Sequence, residues 1–328
     1  MYKYPRTSLL TVFLCWSALS QAQTQKDSIP QKVVQYATDK FPSTRALNIE
    51  YNYQAPYEYS SKLRGSKLPD NKVKGVNQLR VNANTTLFTK NSWIFGTTVN
   101  YRYSSFSSGS TNPFSGAQDN DNDYHYYSVG LNVARVSKLF GKPFIYSGTI
   151  LGEGSEKHFE RVKGIATGTL VLKANAQTKL TVGLVAMIDP TALIPVLPSF
   201  SYEHKFKNGW MADIILPQRI YMRKGVLKNG RFSIGSELDG TTFYLYDLYG
   251  TSKRYQYQQM EINSGVMYEH NFGASFIGTI KSGIKSIPTG RVFEKNENFN
   301  NYVLDIRPQS SFYLNLGVSF NPFGMKNK

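Results

Sequence analysis

The chain has 328 residues, with 23 Tyr and 20 Phe but only 18% charged side chains, and aromatics set among Asn, Ser, Thr and Gly favour strands and turns over helices. Its formal net charge is +16, yet Lys and Arg are dispersed over loops and turns and form no basic stripe interleaved with stacking aromatics, so nucleic acid is not an expected partner. The single cysteine, Cys15, excludes a disulfide framework and a cysteine-ligated metal.

Residues 1–22 have the features of a signal peptide. Lys3 and Arg6 precede a mostly apolar run from Ser8 to Leu19, and Ser20-Gln21-Ala22 offers a small-x-small cleavage site. The run is shorter than the ~20 residues a membrane helix needs, and Leu14 before Cys15 does not suit lipidation. Residues 23–44 are expected to form a periplasmic N-terminal segment, with one short helix over QKVVQYATDKF.

Strand-like segments follow to the end of the chain. In LNIEYNYQAPYEY, Leu47, Ile49, Tyr51 and Tyr53 oppose Asn48, Glu50, Asn52 and Gln54. Leu79, Val81, Ala83 and Leu87 oppose Gln78, Arg80, Asn82 and Asn84. In WIFGTTVNYRY, Trp93, Phe95, Val99, Tyr101 and Tyr103 oppose Gly96, Thr98, Asn100 and Arg102. Met260, Ile262, Val266 and Tyr268 oppose Gln259, Glu261, Asn263 and Glu269, and Phe312, Leu314, Leu316 and Val318 oppose Tyr313, Asn315 and Ser319. Each is a period-2 strand with one apolar face.

A soluble sandwich also alternates. It seldom places Tyr and Trp at both ends of an apolar stripe, as Trp93, Phe95, Tyr101 and Tyr103 do, or closes one with the tyrosines from Tyr51 to Tyr59. Aromatic girdles flanking a lipid-facing band mark outer-membrane barrels. The polar faces then line the lumen, with Glu50, Arg80, Arg102, Glu237, Glu261 and Lys281 as candidate channel or ligand residues. The alternative is that these opposite charges pair to fill a closed barrel.

Connections alternate in length. TKN (89–91), LFGK (139–142), AQT (176–178), FKNG (206–209) and HNFG (270–273) are short. SSKLRGSKLPDNKVKG, SSFSSGSTNPFSGAQDNDN, GEGSEKHFERVKG and IPTGRVFEKNENFNNYVLDIRPQ are expected to be long outer loops. Thirteen strands result from a direct scan, and an odd number would leave the termini on opposite sides. Pro217 in WMADIILPQRIYMRKGV cannot donate to a ladder, and splitting there makes LKNG (227–230) another short turn. The expectation is an all-β, antiparallel, up-and-down transmembrane barrel over residues 45–323, of about fourteen strands with twelve as the alternative, and a tail at 324–328.

TRALNIEYNY, DIILPQRIYMRKGVLKNGRFSIGSELDGTTF and the terminal LNLGVSFNPF resemble an uncharacterised family of Bacteroidota outer-membrane β-barrels. The resemblance implies the barrel fold and a Gram-negative outer membrane, and brings no catalytic residues. Residues 310–323 are also similar to the signal read by the barrel-assembly machinery: Asn315, Gly317 and Phe320 fit, while Pro322 falls where a last aromatic is expected.

No catalytic constellation is offered. A His and a Ser two apart would share a strand face, but His125 and Ser128 are three apart, and His158, His204 and His270 have no such Ser. Asp119, Asp121 and Asp123 have a calcium-like spacing, but Tyr124 and Gly130 stand where a calcium loop needs Gly and Glu. No metal or cofactor is expected. The net positive charge suits contact with lipopolysaccharide. The functional expectation is a passive channel or transporter for a small or hydrophobic molecule, the alternative a non-conducting barrel acting through its outer loops.

Overall fold

The computed structural model describes residues 41, 44–108, 122–246, 248, 252–273 and 275–321. The expected signal peptide, residues 31–40 of the expected helix, Asp119, Asp121 and the expected tail lie outside them. The strands are β1 (Leu47–Gln54), β2 (Tyr57–Leu63), β3 (Ser66–Lys67), β4 (Asn71–Lys90), β5 (Trp93–Ser108), β6 (Asn122–Leu139), β7 (Lys142–Gly154), β8 (Phe159–Ala174), β9 (Thr178–Ile188), β10 (Val196–Lys205), β11 (Trp210–Leu216), β12 (Arg219–Val226), β13 (Gly230–Tyr246), β14 (Arg254–Gly273), β15 (Phe276–Glu294), β16 (Tyr302–Pro308) and β17 (Ser311–Phe320).

All belong to one antiparallel sheet. β1 and β2 form a single crossing, as do β16 and β17, and β3 is a short piece of the first outer hairpin, so the barrel has fourteen crossings. β1 pairs with β4 on one side and β17 on the other, from Leu47↔Phe320 to Gln54↔Tyr313, which closes the ring. Closure is what lets a sheet enter lipid, because no edge N–H or C=O is left without a partner. The split at Pro217 is real: Pro217 and Gln218 form the turn between β11 and β12.

The start of β1, the end of β17 and the turns expected to be short lie at one end of the barrel, the periplasmic one. One turn differs from expectation: β14 continues through HNFG to pair Gly273 with Phe276. Ile49, Val99, Leu131, Ile150, Leu184, Ile220, Val266, Ile280, Leu316 and Val318 are exposed on the outer face and form the lipid belt. At its periplasmic edge Trp93 packs on Phe95 and Tyr146, with ring centroids 6.4 and 6.1 Å away. At its outer edge Tyr101 bonds His125 Nδ1 at 2.8 Å. This apolar belt around a closed sheet makes the chain an outer-membrane β-barrel.

Above the belt the barrel turns inside out. Tyr57 and Tyr59 were expected to continue the lipid-facing aromatics; they are 8% and 3% exposed and point inward. The alternation of β1 changes phase at Ala55-Pro56, and that of its partner β17 at Gln309-Ser310, which brings Leu304 and Ile306 inward. β15 shifts register at Ile287-Pro288 and β4 between Val73 and Gly75. A bulge adds one residue to one strand and so exchanges its faces, and proline is tolerated where no ladder N–H is needed. Glu58, Lys62, Lys72, Lys74 and Arg307 then face outward and are exposed. The outer part is therefore a water-facing dome with an apolar inside.

The same shift corrects the expected long loops. Residues 60–75 are mostly β2, β3 and the start of β4, while only 155–158, 295–301 and 309 remain outside strands in the third and fourth segments. Inside the dome, Tyr57, Val76, Phe106, Phe243, Tyr257, Val292 and Leu304 form one buried cluster. Phe243 stacks on Tyr124 with centroids 4.1 Å apart. These side chains belong to β13 and β6, the eleventh and fourth crossings of fourteen, seven apart around the ring in either direction. Diametrically opposite walls meet.

A row of glycines in register, Gly235, Gly265 and Gly283, faces the lumen across β13, β14 and β15. A Cβ on Gly265 or Gly283 would come within 2.1 or 2.0 Å of the neighbouring strand's carbonyl oxygen. Only glycine permits so close an approach, as at a tight sheet corner.

The two solvents make separable predictions for urea unfolding followed by heat-modifiable gel mobility. Val266→Arg in the belt should cost about 2–4 kcal/mol if it lies near the bilayer midplane. Phe243→Ala in the dome should cost about 3–5 kcal/mol, and Lys72→Ala on its outer face no more than ~0.5 kcal/mol.

Candidate functional site

Below the dome the lumen is polar and partly hollow. A cavity of ≈ 410 Å³ lies toward the periplasmic end, lined in part by Arg45, Asn84, Arg223 and Glu269. A second of ≈ 300 Å³ lies above it, lined in part by Arg80, Asp239, Asn263 and Asn315. Glu50, Asn82, Arg219, Glu237 and Lys281 line both, so the two are parts of one chamber.

Alternation places all six sequence candidates on the inner face, but not in one role. Glu50, Glu237 and Lys281 border both cavities and Arg80 the upper one. Lys281 Nζ donates to both Glu237 oxygens at 2.8 and 3.1 Å, and Tyr221 donates to Glu237 at 3.0 Å. Glu50 accepts from Asn48 at 2.7 Å and Asn315 at 3.2 Å.

Arg80 and Glu261 form the ceiling. Arg80 is paired with Asp239, and its Nη2 lies 4.0 Å from Glu261. Glu261 is fully buried, accepting from Thr241 at 2.5 Å and Gln259 at 2.7 Å and paired with Lys285. Arg102 borders neither cavity; it donates across the lumen to the Gly240 carbonyl at 2.7 Å. These residues join the polar chamber to the apolar dome.

The seal continues around the opposite wall. Glu153 on β7 is fully buried and accepts from Tyr126 at 2.5 Å, Arg161 at 2.7 Å and Tyr244 of β13 at 2.7 Å. Tyr246 donates to Glu160 at 2.7 Å. Among the described residues, these contacts and the aromatic cluster above them fill the lumen between the chamber and the outer end. At the periplasmic end, Phe41 lies under the Arg231 guanidinium, 4.6 Å from it. Arg45 pairs with Glu269 and donates to Ser319 at 2.7 Å. The exposed Thr44 also lines the lower cavity.

The wall is lowest at β11 and β12, which have 7 and 8 residues against 17 in β13 and 20 in β14. Their shared turn is level with Glu237 and Leu238, where Leu238 N–H donates to the Gln218 carbonyl at 2.8 Å. Gln218 is exposed and also lines the upper cavity.

Several chamber residues were not singled out from the sequence. Arg219, Tyr221 and Arg223 alternate with Ile220 and Met222, the signature that marks Glu50 and Arg80, so their inward face is readable. Their partners Asp213 and Glu237 come from other strands. His125 and Ser128 do point apart: Ser128 is buried and bonded to Asn100 at 3.0 Å, while His125 joins the outer girdle.

No family model and no curated protein matches the sequence. Among solved structures, an outer-membrane channel from Pseudomonas putida F1 aligns at 14% identity over 86% of this chain and 97% of its own, with a TM-score of 0.35. The Pseudomonas putida toluene transporter TodX aligns at 12% identity over 90% and 94%, with a TM-score of 0.34. A Pseudomonas aeruginosa FadL homologue aligns at 8% identity over 86% and 91%, with a TM-score of 0.30. At this similarity nothing about substrate or mechanism transfers.

The ceiling and the chamber differ in water access, and their carboxylates should differ in stability. Glu261→Ala leaves Lys285 buried without its partner and should cost about 3–5 kcal/mol. Glu237→Gln, beside the open cavity, should cost ~1 kcal/mol or less. Parallel urea titrations of folded barrels in liposomes measure both.

Proposed function

We propose that this barrel is a passive outer-membrane channel or transporter for small molecules, using the polar chamber and a side exit in place of an axial pore. The observation that carries the reading is Gln218, which lines the chamber and is exposed at the lowest point of the wall. Seven residues of β11 span roughly 24 Å along the strand, or about 18 Å of height at ~40° tilt. An outer-membrane apolar band is ~25 Å tall. The wall therefore ends near the outer leaflet beneath the dome. The lining of Asn, Arg and Glu suits the small polar members of the expected substrate range, which can exchange hydration for these hydrogen bonds.

The closed dome favours a second reading, a non-conducting barrel acting through its outer surface. Exposed Lys62, Lys67, Lys72 and Lys74 on the first outer hairpin would suit the phosphates of lipopolysaccharide. Under either reading, residues 310–323 serve the assembly machinery before β17 pairs with β1.

Reconstituted vesicles and planar bilayers discriminate the two. The side-exit reading predicts swelling with small polar solutes and a small conductance in the native protein. Gln218→Cys labelled with a bulky maleimide should cut the flux several-fold, and labelled Lys72→Cys should not. Absence of solute flux and conductance would contradict the channel and support the closed barrel.

A further inference from the structure

We infer that the periplasmic end of the chamber holds a binding site for a small free oxyanion, of phosphate or carboxylate type, centred on the Arg223 and Arg219 guanidiniums. The inference deepens the proposed function, resting on a solute-accessible chamber, and its carrier is a shortage of acceptors.

Arg219 and Arg223 project inward from alternate positions of β12 and share one carboxylate. Arg223 Nη2 lies 2.6 Å from Asp213 Oδ2, and Arg219 Nε lies 3.1 Å from the same oxygen. Other chamber carboxylates are already engaged: Glu269 with Arg231 and Arg45, Glu237 with Lys281, and Glu50 with the amides of Asn48 and Asn315. Arg223 is 8% exposed, and its Nε is buried with no hydrogen-bond partner. A guanidinium carries five N–H donors in a planar fork, and leaving a buried donor unmade is costly. Its π face is satisfied, lying 5.3 Å from the Tyr221 ring centroid. What is missing is an acceptor in the guanidinium plane.

Arg223 borders the ≈ 410 Å³ cavity, which Arg219 and Lys281 also line. An oxyanion there would accept from the Arg223 edge and neighbouring donors, the geometry in which guanidinium–oxyanion pairs are strongest. The cavity lies below the sealed dome and is enclosed by the wall, so a free small anion is its occupant, not a lipid headgroup.

Isothermal titration of the folded barrel in neutral detergent, at constant ionic strength, tests the site with inorganic phosphate and acetate as probes. Saturable binding of at least one is expected, with the tighter probe identifying the oxyanion class. Arg223→Gln and Arg223→Lys should each weaken it at least tenfold, since Lys keeps the charge but not the fork, and Lys72→Ala should leave it unchanged. If the Arg223 variants do not fold, thermal unfolding of the native barrel decides: phosphate or acetate should raise Tm more than chloride at equal ionic strength. No saturable binding, binding indifferent to Arg223→Gln, or no oxyanion-specific Tm rise would overturn the site. Binding without flux overturns the channel reading alone, and flux without binding overturns the oxyanion site alone.

Discussion

A strand has two faces, and the outer face of this barrel meets two solvents in succession. In the membrane the outer residues must be apolar; above it they must be polar. The chain meets both demands without interrupting the sheet, by changing the phase of β1/β2, β4, β15 and β16/β17 where they leave the lipid belt. Each change falls at a bulge or short break, and two fall at Pro56 and Pro288. The rest of the architecture depends on this exchange. It turns Tyr57, Tyr59, Leu304 and Ile306 inward, where they need a partner surface, and the outer half of β13 supplies it by meeting β6 across the ring.

The lumen is divided as a result. The dome is closed by burial of apolar surface, the strongest non-directional term available to a soluble fold. Below it, Arg80, Asp239, Glu261 and Lys285 make a charged ceiling in which every carboxylate has a cation. Removing one member of such a network leaves an uncompensated buried charge, so the ceiling is structural first. The chamber beneath is the part of the lumen with space as well as polarity. Exposed Thr44 lines its periplasmic part and exposed Gln218 its upper part, at the low wall.

Much of the membrane part was legible in the sequence because one rule governs it. Period-2 alternation assigned Glu50, Arg80, Arg102, Glu237, Glu261 and Lys281 to the inside, and termini on one side forced the split at Pro217. The dome was not legible by that rule. Residues 60–75 and 287–309 alternate too, but out of phase with the strands they continue, and a single-phase reading takes their outward charges for loop. Tyr57 and Tyr59 misled for the same reason, since an aromatic after an apolar stripe looks like a girdle whichever way it points. Which lumen charges border space also lay beyond the pattern: Lys281 beside the chamber and Lys285 in the ceiling are two repeats apart in the same alternation, and their surroundings are set by strands remote in sequence.

The central claim is that one continuous strand faces lipid below and water above, with its faces exchanged between. A nitroxide scan along β15 in liposomes, from Phe276 to Phe293, measures this most directly. Oxygen, which partitions into lipid, should reach labels best at 276, 280 and 284. Beyond Pro288 the accessible positions should become 289 and 291, and a water-soluble nickel collider should replace oxygen as the stronger relaxer. Even positions remaining lipid-accessible through 292 would contradict the account, because the outer half would then be membrane wall and the lumen within it open.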